Sequence, residues 1–363
     1  MPVTFVLKPL EVTSASVEIA MERTIEQSNE EVRAAAGWVE PLQREIGRVI
    51  VGQKGLVDRL LVALVGNGHV LLEGVPGLAK TLTLKTLAQA AKARFQRLQF
   101  TPDMLPADIV GTLVYNPRDG SFVTKQGPIF ANLVLADEIN RAPAKVQSAL
   151  LEGMQERQVT IGDQTFPLPD PFLVMATQNP IETEGTYALP EAQVDRFMLK
   201  VLVDYPSATE EFVIVERVTG PAIDVSPVAT TEELAALQAE CRKVYVDPAL
   251  VQYAVKIVAA TRKPAAFGLP DLSRYISFGA SPRATISMIE GARALGFDAD
   301  YGSIEPGKLA DVLVVDGDVL ADIGVLEDRS RFIAVMQGGA VKAGRLQAGD
   351  VLVLIGIGPG SGR

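Results

Sequence analysis

The chain has 363 residues, 34 Lys+Arg against 44 Asp+Glu, a formal net charge of −10 and 48% hydrophobic residues. This globular composition excludes a wholly disordered chain and allows two or three domains around a large core. The single cysteine, Cys241, excludes an intramolecular disulfide framework, and the single histidine, His69, excludes hydrolases that hold metals with several His ligands.

The acidic balance argues against a general nucleic-acid binder, although a local basic stripe would be compatible with it. Residues 1–12 carry no signal-peptide pattern, and no apolar run is long enough to span a bilayer. A reducing cytoplasm is the expected compartment.

In chain order, residues 1–43 form an irregular start followed by a Glu-spaced stretch that reads as an acidic surface helix, a helical leader. Residues 44–205 alternate apolar strands with helical patterns, the signature of a parallel α/β sheet. Five strands are expected, at 69–73, 94–101, 131–136, 171–177 and 198–203. Runs this apolar suit strands buried on both faces. Polar residues gather just after their ends, where open α/β sheets bind ligands.

Residues 206–296 read as a small all-helical lid. Ser207 with Glu210 and Thr230 with Glu233 fit capping boxes, and Asp247-Pro248 and Ser281-Pro282 place a capping side chain before a helix-starting proline. Residues 297–363 turn Gly-rich with short β-type runs at 312–315, 332–336, 340–342 and 350–355.

Residues 74–81 read GVPGLAKT, between a strand and the helical pattern TLTLKTLAQAA. Small residues let backbone N–H groups wrap phosphate oxygens, and the helix N-terminus adds a favourable dipole. The candidate nucleotide-binding residues are Gly74, Val75, Pro76, Gly77, Leu78, Ala79, Lys80, Thr81 and Leu82. Lys80 would reach the β- and γ-phosphates of ATP, and the Thr81 hydroxyl would ligate Mg²⁺. Ala79 stands where Gly is usual, and its methyl group requires a negative φ. The plain alternative is a Gly-rich turn.

Asp137-Glu138 ends the third strand. Asp137 can hold Mg²⁺ and Glu138 can polarise an attacking water; the bland alternative is a solvated pair of carboxylates at a strand end. Asn179, before Pro180, could orient water or contact the γ-phosphate, but from spacing alone a capping asparagine is the better reading. Arg196 and Arg283 are candidates for charge stabilisation, with Arg141 a third, and an ordinary surface or capping role is open for each.

Taken together these stretches resemble the AAA+ ATPases, specifically the MoxR family. The resemblance runs over about 45–296 and includes VIVGQ, LLEGVPGLAKT, QFTPDMLPADIVGT, the stretch from GPIFANLVLADEINRAP to 161, MATQNPIETEGTYALPEAQVDRF and GASPRA. It implies a P-loop core with a five-stranded parallel sheet and a helical lid. Lys80 and Thr81 then belong to the Walker A motif, Asp137 and Glu138 to the Walker B motif. Asn179 resembles the sensor on the fourth strand, Arg196 the finger given to a neighbour's ATP, Arg283 the lid sensor, and Gly52 and Gln53 residues near the adenine.

The resemblance also implies a homo-oligomer, a hexameric ring, that remodels protein clients as a chaperone, with a von Willebrand factor A domain protein as a partner. Two hairpins, 111–127 with a turn at Arg118-Asp119-Gly120 and 157–168 with a turn at Gly162-Asp163, would line the pore or decorate the surface.

The likeness stops near Leu295. The following GSIEPGKLADVLVVDGD resembles the C-terminal segment of metal-dependent amidohydrolases. That chemistry needs several His ligands, so the tail is expected to replace part of the lid without conferring hydrolase activity. Three expectations follow: a Mg-ATP-hydrolysing remodelling machine, a nucleotide-binding module whose altered lid impairs turnover, and a DNA-acting motor. Nucleic acid is disfavoured as a partner because hairpin 157–168 carries Arg157 but also Asp163.

Overall fold

A computed structural model describes residues 31–32, 34–74, 79–178, 186–203, 205–221, 223–246, 248–295, 312–315, 332–337 and 340–344. The chain divides into two compact units, residues 1–247 with 254–297, and residues 248–253 with 298–363.

The first unit opens with helices α1 (Val39–Val49) and α2 (Lys54–Val65), then strand β1 (Val70–Gly74), helix α3 (Lys80–Ala90) and strand β2 (Phe95–Gln99). Helix α4 (Pro106–Val110) leads into the hairpin β3 (Gly111–Asn116) and β4 (Ser121–Gln126). Strand β5 (Leu133–Asp137) and helix α5 (Ala144–Glu156) precede a second hairpin, β6 (Gln158–Ile161) and β7 (Gln164–Pro167). Strand β8 (Leu173–Gln178), helix α6 (Glu191–Val194) and strand β9 (Leu199–Val203) complete the sheet region. Helices α7 (Ala208–Thr219), α8 (Thr231–Lys243), α9 (Pro248–Arg262) and α10 (Pro282–Leu295) follow.

The five expected strands form one sheet in the order β2-β5-β8-β1-β9, and every neighbouring pair is parallel. Alternation along each strand explains why both faces are covered. Val70, Leu72, Leu133, Leu135, Leu173 and Met175 point into a core layer shared with Leu42, Ile46, Leu60 and Leu64 of α1 and α2. Leu71, Val134, Ala136, Val174 and Ala176 point the other way, onto Leu150, Leu151 and Met154 of α5. Helix α1 runs across position 43/44, and Leu42 and Ile46 on either side of it are fully buried.

His69 enters β1 as a packed core residue. Its Nδ1 accepts the Val174 amide proton at 3.0 Å, which leaves Nε2 to donate to the Met154 carbonyl at 3.1 Å. Burial pushes its pKa down to about 3, so the ring is neutral. Arg157 caps α5 nearby, with Nη2 donating to the Asn67 carbonyl at 2.6 Å and Nη1 to that of Phe172.

The helical region carries the expected caps. Ser207 accepts from the Glu210 amide and Thr230 from the Glu233 amide, each closing a capping box. Pro248 and Pro282 open α9 and α10 as expected, while Asp247 lies outside the described residues. Cys241 on α8 is buried with Leu234 and Leu237, and desolvation raises its thiol to about 12. Among the described residues no helix is long and apolar enough to cross a membrane.

The second unit contains an antiparallel sheet of β10 (Val312–Val315), β11 (Phe332–Gln337) and β12 (Ala340–Gly344). The strand expected at 350–355 and the leader before residue 31 lie outside the described residues.

Candidate active site

The site lies at the carboxyl edge of the parallel sheet. Strands β5 and β1 flank β8, so Asp137 and Gly74 end two strands away from each other on the same edge. Gly74 is dictated by β9: a Cβ there would lie 2.6 Å from the Val203 carbonyl oxygen. Val75, Pro76, Gly77 and Leu78 lie outside the described residues. Beyond them, Lys80 Nζ donates to the Gly74 carbonyl at 2.8 Å. Burial lowers the Lys80 ammonium below its ordinary range, while the charges of Asp137 and Glu138 oppose that shift.

Ala79 corrects the sequence expectation of a negative φ. It sits at φ +54°, ψ +18°, in the left-handed region. A left-handed alanine costs about 1–2 kcal/mol, which its place as the N-cap of α3 outweighs. Its carbonyl is held from the helix side, accepting from Thr83 N at 2.8 Å and Thr83 Oγ1 at 3.0 Å. Thr81 and Leu82 occupy the first turn of α3, where Leu82 is exposed.

Asp137 and Glu138 are tied together by Thr177. Its Oγ1 donates to Asp137 Oδ1 at 2.7 Å and accepts the Glu138 amide proton at 2.9 Å. Arg97 donates to Asp137 Oδ2 through Nη2 at 2.6 Å and Nε at 3.1 Å. Glu138 has φ +58°, and its Oε2 lies 3.0 Å from Gln99 Nε2 and 3.1 Å from Arg141 Nε. A non-glycine residue held left-handed beside an acidic strand end marks stored strain of the kind found at functional sites. Gln147 of α5 braces the following turn through the carbonyls of Ile139, Ala142 and Tyr187.

The Thr81 hydroxyl and the Asp137 carboxylate are hard oxygen donors of the kind magnesium takes. Two cations, Lys80 and Arg97, already converge on the acidic pair. The residues therefore fit a metal–nucleotide complex.

The two outlying arginines meet on α5. Arg196 Nη1 donates to the Leu151 carbonyl at 3.0 Å, and its buried Nε has no hydrogen-bond partner among the described residues. Arg283 Nη2 lies 3.2 Å from Gln155 Oε1, one turn further along. Ser281 bonds through Oγ to Asp195, next to Arg196, and thereby fixes the start of α10. Gly52, at φ +71°, packs against the Glu210 carboxyl carbon, 2.7 Å from where its Cβ would stand, and Gln53 caps α2. Asn179 lies outside the described residues, just past the end of β8.

Arg97, Gln99 and Thr177 were not singled out from sequence. The one signal is that Arg97 and Gln99 alternate on a single face of a strand that runs into QFTPD. The hairpins stand as expected, with turns at Gly120 and Gly162 in left-handed conformations. The first exposes Tyr115 and Phe122 as a tilted pair 5.4 Å apart. Arg157, which begins the second, is turned inward and offers no basic contact to a partner.

Comparison with known proteins gives two family matches. Residues 69–199 match the ATPase family associated with various cellular activities (AAA), and residues 273–342 match the amidohydrolase family. The chaperone MoxR1 of Mycobacterium tuberculosis is 50% identical over 298 residues, 79% of each chain. The uncharacterized protein YeaC of Bacillus subtilis is 45% identical over 69% of this chain and 76% of its own. A crystal structure of a candidate ATPase from Cytophaga hutchinsonii superposes with a TM-score of 0.70 at 47% identity, covering 75% of this chain and 84% of that one.

Proposed function

The chain belongs to the MoxR family of AAA ATPases and is an ATP hydrolase, and from that footing we propose that it turns over Mg-ATP between copies of itself to remodel a protein client. The observation that carries the site assignment is that β1, which leads to Lys80, and β5, which ends at Asp137 before Glu138, finish on the same edge of one parallel sheet.

In this reading Lys80 and the backbone from Gly74 to Leu82 bind the phosphates. Thr81 and Asp137 hold magnesium, which when bound neutralises phosphate charge. Glu138 orients and polarises the attacking water as general base, Asn179 orients that water or contacts the γ-phosphate, and Gly52 and Gln53 lie near the adenine. Arg196 stabilises developing charge at a neighbour's site and Arg283 senses nucleotide from the lid. The divisions 1–43, 44–205, 206–296 and 297–363 then act as leader, motor body, lid and tail. A hexameric cytoplasmic ring, with a von Willebrand factor A domain protein as partner, completes the proposal.

A second reading is favoured by one observation: the amidohydrolase match begins at 273 and so covers Arg283, which here rests on Gln155. In that reading the chain binds nucleotide but its lid does not promote turnover. Phosphate release from wild type and Glu138→Gln, with solution mass measured with and without ATP and Mg²⁺, separates the two. The first reading expects turnover about 10²-fold or more above the variant, and assembly beyond a monomer. Equal background release from both proteins favours the second reading. A strict monomer would leave Arg196 no neighbouring site to complete.

A further inference from the structure

Arg97 lies on β2, one strand outward from the acidic pair, and its guanidinium covers Asp137. Both of its contacts, Nη2 at 2.6 Å and Nε at 3.1 Å, go to the single oxygen Oδ2. Thr177 takes the other oxygen. Each oxygen of the carboxylate assigned to magnesium is therefore occupied by a protein donor. The Arg97 side chain is 48% exposed against 18% for Asp137, so the guanidinium rests at the rim while the carboxylate is turned inward. A half-solvated guanidinium leaves such a contact at little cost, because water takes its place.

The contact extends further. Arg97 Nη2 also donates to Gln99 Oε1 at 2.5 Å, and Gln99 Nε2 donates to Glu138 Oε2 at 3.0 Å. A guanidinium bound at Oδ2 repels a divalent cation approaching the same carboxylate, so the two compete for it.

We propose that Arg97 is the resident counter-ion of the metal site: it neutralises Asp137 and competes with magnesium for that carboxylate. The inference rests on the Mg-ATP reading above and adds a residue that sets how much magnesium the site requires. While Arg97 holds Oδ2, its charge offsets that of Asp137.

The test measures binding, not turnover. Methylanthraniloyl-ADP is titrated into the full chain at a series of free Mg²⁺ concentrations and constant ionic strength, and the half-saturating Mg²⁺ is read from its fluorescence. Arg97→Gln is expected to lower that concentration about tenfold, and Arg97→Lys, which keeps one charge without the fork, by about threefold. If Arg97→Gln does not fold, Arg97→Lys carries the test with the same sign. An unchanged or higher Mg²⁺ requirement in the folded variant overturns the proposal, because Arg97 then positions Asp137 and does not compete with the metal. Asp137→Asn is expected to abolish the Mg²⁺ response, and a wild-type response in that variant would also overturn it. Failure of the wild-type chain to bind the analogue at any Mg²⁺ concentration is a different result: it removes the Mg-ATP reading and the inference with it.

Discussion

Thr177 donates its hydroxyl proton to Asp137 Oδ1 at 2.7 Å, 40 residues away in sequence, and so fixes one acidic strand end from the strand beside it. Thr177 Oγ1 in turn accepts the Glu138 amide proton at 2.9 Å. One small side chain therefore sets both the carboxylate rotamer and the left-handed turn that follows.

Thr177→Val keeps the shape and removes both bonds. It should destabilise the fold by about 1–3 kcal/mol, because the Glu138 amide and an Asp137 oxygen lose their partner. Thr177→Ser should restore most of that. Urea unfolding of the three proteins checks it, and equal midpoints for wild type and Thr177→Val would contradict the assigned role.

A second prediction concerns the first hairpin. Gly111 has φ +105°, and a Cβ there would lie 2.2 Å from the Lys125 carbonyl oxygen and 2.6 Å from the Gly127 nitrogen. Gly111→Ala should cost about 2–4 kcal/mol and loosen β3 from β4. Faster tryptic cleavage after Arg118 and Lys125 is the readout; wild-type cleavage rates would show that the hairpin tolerates the methyl group.

The third prediction is a pH dependence. The folded pKa of His69 is pushed down to about 3 by burial, below the ordinary value of 6.5. Protons therefore bind the unfolded chain first. The stability that His69 supports is complete above about pH 6.5 and is lost as pH falls towards 3, by up to about 1.4 kcal/mol per pH unit. His69→Gln can keep both hydrogen bonds without titrating. It should lose less stability than wild type between pH 7 and pH 5, and parallel losses would show that His69 is not the group responsible.

Much of this architecture is legible in the sequence where a local signal suffices. The strand runs that become β1, β5 and β8 are apolar because both faces are covered, and Ser207 with Glu210 announces a helix start within four residues. Gly120 and Gly162 mark hairpin turns because their left-handed φ suits glycine. What sequence spacing did not reveal depends on distant partners. Arg97 meets Asp137 across 40 positions, and Asp195 meets Ser281 across 86. Ala79 breaks its local preference as the N-cap of α3, where Thr83 holds its carbonyl through both amide and hydroxyl. Likewise α1 crosses position 43/44 because Leu42 and Ile46 share one buried face, which charge spacing along the leader does not reveal.

Cys241 is the only thiol in the sequence, and it is sealed beneath α8 with its ionisation driven to about 12. At neutral pH the intact molecule should be inert to maleimides and disulfide reagents, since the reactive thiolate is both scarce and shielded. Labelling would begin only when α8 lifts away from its neighbours. The protein thus carries its own chemical clock for that opening, readable by mass spectrometry of the labelled thiol.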